Sequence, residues 1–173
     1  MKIEKTEIVY NRFLKIRRGT IQLPSGKLID YNYIDNPDVV MVIPLTGEEI
    51  VCLKQYRFPV HSFVYDLPAG AVDEGETLED AANRELEEEA GHHAGKLQYI
   101  HSLYPSAGSS RVQLHVYLGT ELEERERKPE PTEIIEVIRM PIKDFENLLQ
   151  KEIMDASITA GYYIAKSRGL LLG

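Results

Sequence analysis

Glu85, Glu88 and Glu89 lie within five positions of one another, with Arg84 directly before them. Carboxylates three and four residues apart share one helix face, where hard oxygen donors one turn apart suit Mg²⁺ or Mn²⁺. Without a cation the spacing is unfavourable, because like charges at i,i+3 and i,i+4 repel. On a wheel of about 100° per residue from Leu78, Ala81, Ala82 and Leu86 fall within about 80° of the start, and Glu85 and Glu89 within about 20°. Glu88 lies at the edge of that face, whereas Asp80, Asn83 and Glu87 point the opposite way. A solvated acidic stripe predicts acids on the outer face only. Glutamates on the packing face cost several kcal/mol to desolvate unless a cation compensates. Arg84, one turn before Glu88, is placed to hold one of the carboxylates.

These side chains need a helix with defined ends. Thr77 and Asp80 approximate a capping box and Gly91 supplies a stop, so the spacing predicts a helix over Leu78 to Ala90. Short strands are expected before it: Phe13 to Ile16, Ile21 to Leu23, Leu28 to Tyr31, Val39 to Ile43, Glu49 to Leu53 and Phe63 to Tyr65, with turns at Pro24-Ser25-Gly26 and Thr46-Gly47. After the helix, His92-His93 read as a loop terminus and a poor metal pair. Val112 to Leu118 alternates as a half-buried strand and Ile134 to Met140 reads as another. Glu121 to Pro131, charged and carrying two prolines, is expected to be a mobile loop. Helices are predicted from Ile142 to Glu152 and from an Asp155 cap to Gly169. Mixed strands with one central and two terminal helices suggest an α/β sandwich.

The 173 residues, 43% apolar and 28% charged, fit a single globular domain over 1–173. Of 28 acids and 20 bases, nine acids and one base fall between Asp73 and Gly91, leaving the rest of the chain balanced. With no basic stripe, the surface argues against nucleic acid or an anionic membrane as partner. Cys52 is the only cysteine, so thiolate metal sites and internal disulfides are excluded. Apolar runs are too short for a membrane span, Met1 to Lys5 leads into no apolar signal core, and a cytoplasmic location is expected. No phosphate-binding Gly-x4-Gly-Lys loop and no Gly-x-Gly-x-x-Gly fingerprint occurs.

Gly70, five residues, Glu76, seven residues, then Arg84-Glu85-Leu86-Glu87-Glu88-Glu89-Ala90-Gly91 resembles the Nudix box, the loop-helix-loop signature of hydrolases that cleave a nucleoside diphosphate linked to another moiety. Only His92 departs, where the family usually carries an apolar residue. The resemblance implies a Nudix-type α/β/α sandwich with a mixed sheet, here preceded by an N-terminal antiparallel β meander. It also implies Mg²⁺, with Mn²⁺ as the alternative, held by Glu85, Glu88, Glu89 and a backbone carbonyl at Ala69 or Gly70. Gly70, Glu76, Arg84 and Gly91 are then structural supports.

Lys54-Gln55-Tyr56-Arg57, Leu67-Pro68-Ala69-Gly70 and Tyr104-Pro105-Ser106-Ala107-Gly108 are similar to segments of ADP-ribose pyrophosphatases and other nucleoside-diphosphate-sugar hydrolases. This subclass implies hydrolysis of a small nucleotide sugar, ADP-ribose first, with GDP-mannose, another sugar nucleotide, an oxidised nucleoside triphosphate or a non-catalytic sensor as alternatives. It implies that Arg57 contacts substrate, with Arg111 as a further phosphate contact, and that a loop acid serves as base. Glu133 fits that place best and Glu130 second, while Glu88 is a ligand or an orienting base. The subclass also implies a homodimer through residues 1–36, with 37–173 as catalytic core. Asp66 stands where the subclass usually has glutamate, and Gly108-Ser109-Ser110-Arg111 lacks the acid usual after that turn.

Overall fold

The computed structural model describes residues 2–171, which fall into two compact units. One contains the chain up to Asp38 together with Tyr104–Gln113; the other contains Val39–Leu103 and the chain from Leu114 onward.

The first unit is an antiparallel sheet of β1 (Lys2–Asn11), β2 (Lys15–Gln22) and β3 (Leu28–Ile34), in that order. Gly26, at φ 81°, closes the β2–β3 hairpin, with Leu23 N–H donating to Lys27 O at 2.9 Å. β1 is a strand the sequence pattern did not reveal, since all ten of its residues are exposed and it carries no buried stripe. The strand expected at Phe13 begins only at Lys15. Asp35, 5% exposed, accepts from Arg17 Nε at 2.6 Å and Arg111 Nη1 at 2.9 Å. Burial pushes its carboxyl up, but the two guanidinium groups outweigh that and hold it below the ordinary value.

The second unit is built on β4 (Val39–Thr46), β5 (Glu49–Arg57), β6 (Ser62–Asp66), β7 (Ala69–Ala71), β8 (His92–Leu103), β9 (Leu114–Glu124) and β10 (Ile135–Pro141). The strand order is β10-β5-β4-β9-β8, with β6 on β5 and β7 on β4. β4 and β9 run parallel and the other pairs antiparallel, so the sheet is mixed. The central strands are apolar on both sides because both faces are covered. Val40, Val42, Val51 and Leu53 pack on Ala81, Ala82, Leu86 and Ala90. Met41, Ile43, Ile50 and Cys52 pack with Phe145, Ile158, Tyr162 and Ala165. The first set of partners belongs to the helical segment that starts with α1 (Leu78–Glu85); the second belongs to α2 (Ile142–Lys151) and α3 (Ala156–Ser167). The layers are therefore α/β/α. Among the described residues no helix is long and apolar enough to cross a membrane.

Three local expectations are corrected. The helix over 78–90 is α-helical only to Glu85, and Leu86–Ala90 is a π-helical turn. Glu121 to Glu124 continues β9, so the loop is shorter than composition suggested. His92 and His93 open the twelve-residue strand β8 rather than ending a loop.

Candidate active site

The loop after β7 and the helix beginning at Leu78 bring the acids together. Thr77 caps α1 by accepting from Asp80 N–H at 3.1 Å, and Gly91, at φ 71°, ends the π turn with its N–H on Glu87 O at 3.0 Å. Between these caps, Glu85 and Glu89 are 9% and 3% exposed, as the wheel predicted for the packing face. Glu88 is half-buried at the edge.

Arg84 fastens the loop to the helix. It donates to Glu76 Oε1 from Nε (2.9 Å) and to Glu76 Oε2 from Nη2 (3.0 Å), a two-point pairing. Nη2 also reaches Ala71 O at 2.8 Å, and Nη1 reaches Glu85 Oε1 at 2.7 Å and Glu88 Oε2 at 3.1 Å. The Arg84 hydrogen bonds hold the Glu76 carboxyl below its ordinary value. Gly70 faces Glu85: a Cβ built there would fall within the Glu85 carboxylate.

Among the described residues Glu89 pairs with no arginine. Its Oε2 accepts from Ala69 N–H at 2.9 Å. Burial pushes its carboxyl up to about 9; that N–H opposes the rise, and the charges of Glu133, Glu85 and Asp66 add to it. Burial likewise raises Glu85, against Arg84, with Glu88 and Glu133 adding. Glu133 is thus close enough for both buried glutamates to feel its charge. It closes a turn in which its N–H donates to Glu130 O and Glu130 N–H donates to Glu133 Oε2, both at 2.9 Å.

Arg57, at the end of β5, is paired with Asp66, the buried acid whose charge reaches Glu89. Arg111 makes its ion pair with Asp35 in the first unit. Asp66, which the sequence marked only as standing where the subclass usually has glutamate, is a site-lining acid; burial raises its carboxyl against the pull of Arg57.

Among the described residues no three histidine, cysteine or carboxylate groups stand in a metal-holding arrangement. Arg84 draws Glu85 and Glu88 to itself, and Glu89 turns to Ala69. The donor chemistry nonetheless fits a hard divalent cation: every candidate ligand is oxygen, two of the carboxylates are buried, and among the described residues neither Glu89 nor Glu133 has an arginine partner.

A NUDIX domain model matches residues 35–161. This chain belongs to the Nudix family. It is a hydrolase of that family, acting on pyrophosphate bonds. It is 34% identical over 158 residues to the ADP-ribose pyrophosphatase of Bacillus subtilis (strain 168), covering 89% of this chain and 85% of that one. The methanol dehydrogenase activator of Bacillus methanolicus is 28% identical, with 98% of this chain and 95% of that one covered. A crystal structure of an ADP compounds hydrolase shares the fold, with a TM-score of 0.85 at 20% identity over 98% of this chain and 96% of that one. The Nudix box described above, Gly70 to Gly91, lies wholly within the matched region.

Proposed function

We propose that this Nudix hydrolase splits the diphosphate linkage of a nucleoside diphosphate sugar, ADP-ribose first, into a nucleoside monophosphate and a sugar phosphate. The observation that carries the reading is the pair of buried glutamates, Glu85 and Glu89, on the packed face of the box helix beside Glu88 and Glu133. The likeness to an ADP-ribose pyrophosphatase over most of both chains supports the substrate class.

Glu85, Glu88, Glu89 and the Ala69 carbonyl would hold Mg²⁺, or Mn²⁺ in its place. Such a cation, when bound, neutralises the diphosphate and lowers the pKa of a coordinated water. Glu133 takes the proton of the attacking water, with Glu130 as the second candidate, and Glu88 helps to orient that water. Arg57 and Arg111 are proposed to bind phosphate or sugar oxygens. Each spends one edge of its guanidinium on a buried aspartate, yet their side chains keep 45% and 64% exposure, which leaves donors free.

The protein is further proposed to work as a cytoplasmic homodimer formed through residues 1–36. Ile3, Ile8, Tyr10, Phe13 and Leu28 there are exposed, and among the described residues one edge of β1 is unpaired. Light scattering that returned only a monomer would refute the dimer. Incubation with Mg²⁺ and a panel including ADP-ribose, GDP-mannose and an oxidised nucleoside triphosphate tests the reaction. Monophosphate release from ADP-ribose is expected; release from no sugar nucleotide would overturn the reading.

A further inference from the structure

The chain between β9 and β10 carries Glu133, and its path is fixed at a point outside the acidic cluster. Arg125 N–H donates to the carbonyl of Gly91 at 2.8 Å, which joins the start of this segment to the C-terminal cap of the box helix. Two residues on, the Arg127 side chain lies along Gly91 so closely that a Cβ at position 91 would stand 2.7 Å from its Cγ. Beyond that contact the guanidinium passes inward. Nη2 approaches Ile135 O, at the start of β10, at 3.5 Å, and Nε is buried with no hydrogen-bond partner among the described residues. Arg127, itself on the segment that carries Glu133, therefore touches two things: the end of the helix that carries Glu85, Glu88 and Glu89, and the strand that follows.

We propose that Arg127 is a positioning residue that ties the Glu133 loop to the Gly91 cap of the box helix. The inference rests on the hydrolytic reading, because Glu133 is the group it positions. A cation suits the place: the last carbonyls of a helix carry partial negative charge, and Leu86 to Ala90 end there. A long stem is needed to cross Gly91 before the charged head is used, and only a residue without Cβ at position 91 lets that stem pass. The cap glycine thus has two duties, its positive φ and the space it leaves for Arg127. Held at one end by Arg127 and at the other by β10, the loop keeps Glu133 where its charge is felt at Glu85 and Glu89.

The test compares the full-length wild type with Arg127→Ala, Arg127→Lys, Glu133→Gln and the Arg127→Ala/Glu133→Gln double variant, in turnover of ADP-ribose with Mg²⁺ and in amide hydrogen exchange. Arg127→Ala is expected to lower kcat about tenfold or more with KM changed less than about threefold, since misplacing a reacting group costs rate rather than binding. Arg127→Lys, which keeps stem and charge, restores part of it. The double variant turns over no more slowly than Glu133→Gln alone, because two residues acting through one group are not additive. Exchange at the Arg125 and Glu133 amides rises in Arg127→Ala while that of β4 and β5 stays as in the wild type. Additive losses, a silent Glu133→Gln, or exchange that rises equally across the sheet would each overturn the tether. A wild type that hydrolyses no sugar nucleotide sinks the hydrolytic reading instead, and the exchange measurement still decides whether Arg127 holds the loop.

Discussion

The carboxylate of Glu85 fills the space that a side chain at Gly70 would need. Gly70 is not at positive φ, so this glycine is kept for room rather than for backbone freedom. Its strand, β7, is pinned to β4 by the pairing of Gly70 with Val40 and cannot easily retreat. Gly70→Ala is therefore expected to push Glu85 off its bond to Arg84 while the sheet stays intact. A displacement of about 1 Å at a reacting site costs on the order of 10²-fold in rate. Steady-state turnover as a function of Mg²⁺, beside circular dichroism, checks this; wild-type turnover would show that Glu85 does not need its present place.

Arg84 bonds three acids, Glu76, Glu85 and Glu88, and Glu76 fixes its plane through two hydrogen bonds. Lysine cannot reproduce that fork or reach Ala71 at the same time. Arg84→Lys is expected to lower kcat by about tenfold or more and to lower Tm by about 2–8 °C, the shift for one to two kcal/mol in a domain of this size. Glu76→Gln, which keeps one acceptor, should show the smaller change of the two. A thermal melt and a rate measurement on both variants suffice; equal behaviour of Arg84→Lys and wild type would mean that the fork is ornamental.

Much of the geometry of this candidate site is readable in the sequence, and the reasons are physical. Thr77, Gly91 and the apolar Ala81, Ala82 and Leu86 define the helix ends and the buried face, which puts Glu85 and Glu89 inward by geometry alone. The π turn is not readable, because nothing in the residue types of Leu86 to Ala90 departs from an α-helical pattern. β1 was missed because no buried face disciplines its pattern. β8 was missed because His92 to Leu103 mixes polar and apolar residues, with a register shift between Tyr99 and His101 that breaks the alternation. The contact of Arg127 with Gly91 joins residues distant in the chain, and local spacing holds no trace of it.

Asp35 gives the first unit a pH limit. Its partners Arg17 and Arg111 hold the carboxyl below its ordinary value of 3.8, so folding favours the charged form. The stabilisation is fully present above 3.8 and is lost as pH falls through the lower, folded value. Asp35→Asn should leave the two arginines without their acid and cost about 1–3 kcal/mol at pH 7, below the range for fully buried pairs because both arginines reach water. The difference from wild type should shrink as the pH approaches 2. Denaturant melts at pH 7, 4 and 2.5 would reveal it, and a gap that stayed constant across them would contradict the assignment.

Glu89 separates the cost of the site from its purpose. Glutamine in its place can still accept from Ala69 N–H, which the carboxylate now does at 2.9 Å, and it removes a buried group that burial already drives toward neutrality. In chelator at neutral pH, Glu89→Gln should therefore melt within about 2–4 °C of the wild type, the shift for less than one kcal/mol. Added Mg²⁺ should raise the wild-type melting temperature, because a ligand that binds only the folded state stabilises it by mass action. The variant should gain little, and its turnover should fall by about 10²-fold or more if an oxygen ligand of full charge is needed. A Glu89→Gln protein that gained as much from Mg²⁺ as the wild type would place the cation elsewhere and leave the buried acids of the box helix without an explanation.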